Sequence, residues 1–184
     1  MLRPRPLPDE IAGGVFSYAE AVLADVPRSR LRAHDLLRPH RGIYVPATTS
    51  LDVFARVEHL RPLLSPDQLF SHLTAARLWG MPLPWRERED EPLHVLSMAD
   101  SAPMRRVGVI GWETEAPDVA RAALGDVPLV APAQVWTQLA VPSALGRDAT
   151  TGRPRSMSPD WLVAVGDYLV SGPRSRGKRH PLCT

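Results

Sequence analysis

The stretch VFSYAEAVLADVPRSRLRAHDLLRPHRGIYVP, Val15 to Pro46, decides how the rest of the chain is read. Ser17 can accept a hydrogen bond from a free N–H of a following first turn, and Glu20, three residues on, completes a capping box. Phe16, just before the cap, stands where a hydrophobic staple belongs. The spacing predicts a helix over 18–24 with Ala19, Val22 and Leu23 inward, ended by Asp25-Val26-Pro27. A second helix is predicted from Arg28 or Ser29 to about Leu37, anchored by Leu31 and closed by Leu36-Leu37. Pro39 stops it. His40-Arg41-Gly42 then makes a turn, Ile43-Tyr44-Val45 a strand, and Pro46 closes the unit.

Helix, tight turn, arginine-bearing helix, then a strand behind a basic turn is the order of a winged helix-turn-helix. In that arrangement the second helix meets bases and phosphates. The residues expected to contact DNA are Arg28, Ser29, Arg30 and Arg32 on the second helix and His40 and Arg41 on the wing. Each phosphate neutralised adds about 0.9 to the salt slope of log K. Tyr44 is expected to pack the wing onto the helices. The competing reading is a solvated basic face in an arginine-rich chain: 21 of the 22 basic residues are arginine, Lys178 being the exception. Arginine suits phosphate forks and guanine edges, and codon bias in a GC-rich genome accounts for the same excess.

Charge is distributed unevenly. The net charge of the 184 residues is +2. Residues 28–41 carry five arginines against Asp35, and residues 172–184 carry four basic groups and no acid. Residues 47–171 hold eleven arginines against fifteen acids. Two basic segments therefore flank an acidic middle. The single cysteine, Cys183, rules out a disulfide within the chain and a cysteine zinc site. The longest apolar runs fall far short of a membrane span, so cytoplasmic is the default expectation.

Outward from Pro46, helices are predicted over 52–64 (Val53, Val57, Leu60, Leu64) and 68–79 (Leu69, Leu73, Ala76, Leu78), with Gly80 as C-cap. Residues 86–91 read as a solvated charged loop. Strands are predicted over 93–98, 107–112 and 127–130, and helices over 116–124, 133–139 and 159–169, with Pro132 at an early helical position. Residues 142–158 read as a mobile loop. His72 and His94 read as structural residues, His72 with a backbone hydrogen bond near the Met81–Pro84 turn. No HxH or HxxxH spacing offers a metal site. The lone lysine lacks the preceding D/E-x that nuclease chemistry needs, no GxxxxGK[ST] loop is present, and no nucleophile elbow frames a serine.

The quoted stretch resembles the N-terminal winged-helix segment of AbiEi-type antitoxins from actinobacteria. SHLTAARLWGMPLP (Ser71–Pro84) and VPLVAPAQVWTQLA (Val127–Ala140) resemble segments that follow in those proteins, so the likeness covers about residues 14–170. It implies a DNA-binding antitoxin of a type IV abortive-infection toxin–antitoxin system that represses its own operon. The implied partners are double-stranded DNA and a nucleotidyltransferase-type toxin. Related proteins continue into a restriction-endonuclease-like domain, and DYLVSGPRSRGKRHPLCT looks like the start of one cut short. Two other expectations stand beside the repressor: an inactive remnant of a nuclease-family protein that keeps its DNA-targeting part, and a protein-interaction module for a toxin.

The expected fold class is α/β (α+β). A flexible arm is expected at 1–13, the winged helix-turn-helix at 14–46, a mixed α/β domain with a small sheet at 47–170 and a disordered basic tail at 171–184. No catalytic residue, metal or cofactor is expected.

Overall fold

Ser17 and Glu20 form the predicted capping box. The Ser17 N–H donates to Glu20 Oε2 at 2.7 Å, and the Glu20 N–H donates to Ser17 Oγ at 3.2 Å. These bonds, the backbone one foremost, hold the Glu20 carboxyl below its usual pKa. The computed structural model describes residues 4–12, 14–48, 52–98, 101–116, 118–141, 145, 147 and 152–171. The fold is mixed α/β, as expected, and the chain forms two compact units, Met1–Leu63 and Leu64–Thr184.

The first unit contains α1 (Asp9–Ala12), β1 (Phe16–Ser17), α2 (Tyr18–Leu23), β2 (Leu36–Leu37), β3 (Ile43–Pro46) and α3 (Val53–Leu60). Helix α3 was expected in the second part of the chain and belongs to the first. Asp52 caps it, accepting from the Ala55 N–H at 2.9 Å. Helix α2 ends in a Schellman arrangement: Val26 N–H donates to Ala21 O at 2.9 Å and Asp25 N–H to Val22 O at 3.1 Å. Asp25 takes the left-handed position, φ 52°, that glycine fills more cheaply. The inward face of α2 differs from expectation. Ala21 is buried, whereas Val22 and Leu23 are 56% and 87% exposed. With only six residues, the helix can present little more than Ala21 and part of Tyr18 to the core.

The expected second helix does not form. Residues Arg30–Arg32 make a single 3-10 turn, and Leu36–Leu37 pair with β3. Between Pro27 and Pro39 only Leu31 and Leu36 are buried. Five residues apart, they do not share a helical face. Asp35 instead folds back onto Arg30, with two parallel hydrogen bonds of 2.9 and 2.8 Å. The unit is therefore not a winged helix-turn-helix with a recognition helix at 28–37. It is a three-stranded antiparallel sheet, order β1-β3-β2, beside α2. Phe16 opposes Tyr44 in register and stacks on it at 5.6 Å, so Tyr44 is packed in the unit's buried cluster, with its ring on a neighbouring strand and not between two helices. Ile11 is buried in the same cluster and Leu7 packs against it, so the described part of the expected arm is docked by its apolar residues.

The second unit holds β4 (Gln68–Phe70), α4 (His72–Leu78), β5 (Leu93–Ser97), β6 (Val109–Glu113), β7 (Arg121–Leu124), β8 (Val127–Val130), α5 (Pro132–Leu139) and α6 (Pro159–Ser171). The five strands form one sheet, β6-β5-β4-β8-β7, in which β5/β6 and β4/β8 run parallel. Residues 68–70 are its central strand rather than the start of a helix. All three are buried, and a strand covered on both faces loses the alternation that would mark it. Residues 121–124 are a strand rather than a helix, joined to β8 through Gly125-Asp126 with Gly125 at φ 58°, a two-residue hairpin turn led by glycine.

Helix α4 packs against α5, β5 and β8, and α5 against α6. Gly80 caps α4 at φ 67°. Gly111 on β6 lets the connection before it cross the sheet: a Cβ there would overlap the Met104 carbonyl oxygen and come within 2.8 Å of the Met104 nitrogen. The expected basic tail lies outside the described residues but for Ser171. The stretch expected as a mobile loop, 142–158, is described at 145, 147 and 152–158, and there it is held in place: Leu145 and Arg155 are buried, Arg147 bridges to Pro154, and Arg155 bonds Glu91.

Candidate nucleic-acid interface

The six residues expected to meet DNA take distinct places. Arg30 faces inward: its side chain is 9% exposed, paired to Asp35, with its Nε–H donating to the Arg5 carbonyl. A guanidinium whose hydrogens are spent on a carboxylate and a backbone carbonyl is a structural group. Arg28 is exposed but leans on Tyr18, donating to its hydroxyl at 2.8 Å and lying 5.7 Å from its ring centre. Ser29 is exposed and makes no side-chain cap bond to the 3-10 turn.

The hairpin β2–β3 carries the rest. Ile43 N–H donates to His40 O at 3.1 Å and Gly42 has φ 84°. A positive φ at the third residue is what a type II turn requires, so glycine is needed there and Arg41 is held at the apex. Arg38, at the hairpin's base, lies 5.1 Å from the Tyr44 ring centre and donates to the Leu31 carbonyl at 2.5 Å. It ties the 30–32 turn to the hairpin. His40 lies near the buried His59 and helps to depress its pKa.

Once these internal uses are assigned, Arg32 and Arg41 remain. Both are exposed, and among the described residues neither side chain has a hydrogen-bond or ion-pair partner. The sequence brought six residues forward; the structure leaves two arginines free, puts one on the surface against a tyrosine, and withdraws Arg30 into the fold.

His59, on α3, went unnoticed in the sequence. It is fully buried and neither ring nitrogen has a hydrogen-bond partner. Burial, reinforced by His40, lowers its pKa to about 4.

A second polar cluster, inside the second unit, was not foreseen either. Glu91 was expected in a solvated loop, but its side chain is only 5% exposed. It accepts from Arg77 Nε at 2.5 Å, Arg77 Nη2 at 3.1 Å and Arg155 Nη1 at 2.6 Å. Arg155 lies 5.5 Å from the Trp85 ring centre, and its buried Nε has no partner. Beside this triad, Trp112 Nε1–H donates to His94 Nδ1 at 3.0 Å and stacks on His72 at 4.5 Å. His72 Nδ1 sits 2.9 Å from Ser71 Oγ, not at the turn near Met81 where it was expected to bond. Its backbone is left-handed, φ 47°, and its N–H donates to Gln138 Oε1 at 2.9 Å.

Burial lowers the pKa of His72 to about 3 and that of His94 to about 4, helped by His94 and Arg155 respectively. Both rings are therefore neutral at pH 7. Ser71, His72 and His94 are all buried, so this arrangement organises the sheet end and offers no exposed nucleophile. Among the described residues no group of three or more acidic, histidine or cysteine side chains could hold a metal ion. No helix there is long and apolar enough to cross a membrane. Comparison with protein-family models and with curated proteins gives no match.

Proposed function

We propose that this protein is a DNA-binding, antitoxin-like transcriptional repressor of the type IV kind, whose first unit docks by its arginine-tipped hairpin instead of a recognition helix. The observation that carries the reading is the free, exposed Arg41 at the apex of a type II turn, at the end of a segment, residues 28–41, whose local net charge is +4. Arg32 is the second free cation, and Arg28 can turn outward at the cost of one hydrogen bond. Two or three phosphate contacts give a modest salt slope, roughly −2 to −3. The repressor role and its toxin partner come from the resemblance of Val15–Pro46, Ser71–Pro84 and Val127–Ala140 to AbiEi-type antitoxins.

The test is a mobility shift on the chain's own promoter at two salt concentrations. Wild-type protein shifts the duplex at low salt, and the Arg32→Ala/Arg41→Ala double variant does not. No shift by the wild type at low salt sinks the reading.

A toxin-binding module is favoured by a different observation. On α6, Trp161, Val163 and Val170 are exposed, and besides Asp160, Asp167 and Ser171 the helix carries the Tyr168 hydroxyl, which is used on the Trp79 carbonyl at 2.9 Å. A helix apolar on nearly every side suits a covered position. Co-purification with a co-expressed toxin, lost in Val163→Glu/Val170→Glu, tests it; retention in that variant refutes it.

A further inference from the structure

Resting on the DNA-docking reading, the geometry points to a narrower mode: the hairpin reads the minor groove with a single side chain, Arg41, and prefers narrow A·T-rich DNA.

Three observations lead there. First, the 3-10 turn at Arg30–Arg32 is too short to lie in a major groove, which takes an α-helix or a two-stranded ribbon. Second, the hairpin is not a free ribbon. Strand β3 is paired on both sides, to β1 and β2, and Ile43, Tyr44 and Val45 are buried. Only the tip, residues 38–42, is available to enter a groove. Third, within that tip Arg38 is committed to Tyr44 and Leu31, Pro39 has no side-chain donor, and Gly42 has no side chain. His40 has the smaller, shorter ring, and Arg41 alone projects as a free cation.

The minor groove is about 6 Å wide and accepts one extended side chain. Its potential is most negative where A-tracts narrow it, and the weakly hydrated guanidinium is drawn there more than a lysine ammonium. Gly42, at φ 84°, lets the backbone come close to the groove walls without a Cβ. The reading predicts discrimination of A·T from G·C and little beyond it, because the minor-groove pattern is degenerate.

The test uses the full chain and three duplexes of equal length: an A-tract duplex, a G·C duplex, and the G·C duplex with inosine in place of guanine. Inosine lacks the N2 amino group in the minor groove but keeps the major-groove acceptors. Fluorescence anisotropy should show the A-tract and inosine duplexes binding about five- to tenfold tighter than G·C, the scale of one base-level discrimination. Arg41→Ala should erase that ratio while weak binding persists through Arg32, and Arg41→Lys should reduce it. An inosine duplex that binds like G·C overturns the minor-groove mode and leaves the docking reading standing. Absence of binding to all three duplexes overturns both.

Discussion

Replacing Glu91 by glutamine should damage the second unit far more than replacing the arginine beside it. Glu91 is the only anion in a triad with Arg77 and Arg155, whose side chains are 9% and 7% exposed. It accepts three charge-assisted hydrogen bonds. Glutamine keeps the shape but removes the charge, so two guanidiniums are left facing a neutral amide in a place water does not reach. Three such bonds at about 1.5–3 kcal/mol each set the gross loss. Relaxation recovers part of it, and the expected net cost is about 3–5 kcal/mol.

Arg155→Met acts in the opposite sense. It removes a buried Nε without a partner and leaves the Arg77–Glu91 pair electroneutral, at a cost of about 1–2 kcal/mol from one lost hydrogen bond and the packing on Trp85. All five tryptophans, Trp79, Trp85, Trp112, Trp136 and Trp161, lie in the second unit. Urea unfolding followed by tryptophan fluorescence therefore reports on that unit alone. A Glu91→Gln cost below about 1 kcal/mol, or an Arg155→Met cost larger than it, would refute the view that the carboxylate holds the cluster together.

Asp25→Gly should stabilise the first unit by about 0.5–1 kcal/mol, because it relieves a left-handed backbone at the α2 C-terminus; amide hydrogen exchange over residues 16–26 reads the gain. Gly111→Ala should cost several kcal/mol and lower the thermal midpoint of the tryptophan signal, since its Cβ meets the Met104 backbone and not a flexible chain end. His59 sets an acid limit. Its folded pKa, about 4, is below the ordinary 6.5, so the unfolded chain binds more protons between those values and stability falls as pH drops through that window. From pH 6.5 to 5 the loss is at most about 2 kcal/mol. His59→Leu removes it and two unsatisfied nitrogens, and hydrogen exchange of α3 at pH 5 and 7 should show a flatter dependence in the variant. An unchanged dependence would mean another group titrates.

What the sequence made legible were local signals with short reach. The Ser17/Glu20 box, the turn glycines at 42 and 80, Pro132 opening α5 and the strands at 43, 93, 109 and 127 all depend on neighbours within a few residues. The misreadings came where tertiary pairing overrode the local pattern. Residues 28–37 carry residues that tolerate a helix, but Leu36-Leu37 gain more by pairing with β3 and Asp35 by reaching Arg30. Gln68–Phe70 sits between two strands and shows no period of its own. Arg121–Leu124 could have been recognised, because Gly125-Asp126 directly before the strand at 127–130 is a hairpin signal.

The site was half legible. Which arginines are present is written in the sequence. Which are spent depends on the Arg5 carbonyl, Asp35, the Tyr18 hydroxyl and the Tyr44 ring, partners that only the folded chain assembles. Glu91 looked solvated because it ends a charged run whose other members, residues 86–90, are exposed.

The most direct test of hairpin docking is to map the contact by NMR, titrating duplex DNA into isotope-labelled protein at low salt. The account predicts shifts concentrated at Arg32, His40, Arg41 and Gly42, reversed by added salt, with α6 unmoved. Shifts confined to the second unit, or none in residues 38–42, would contradict it.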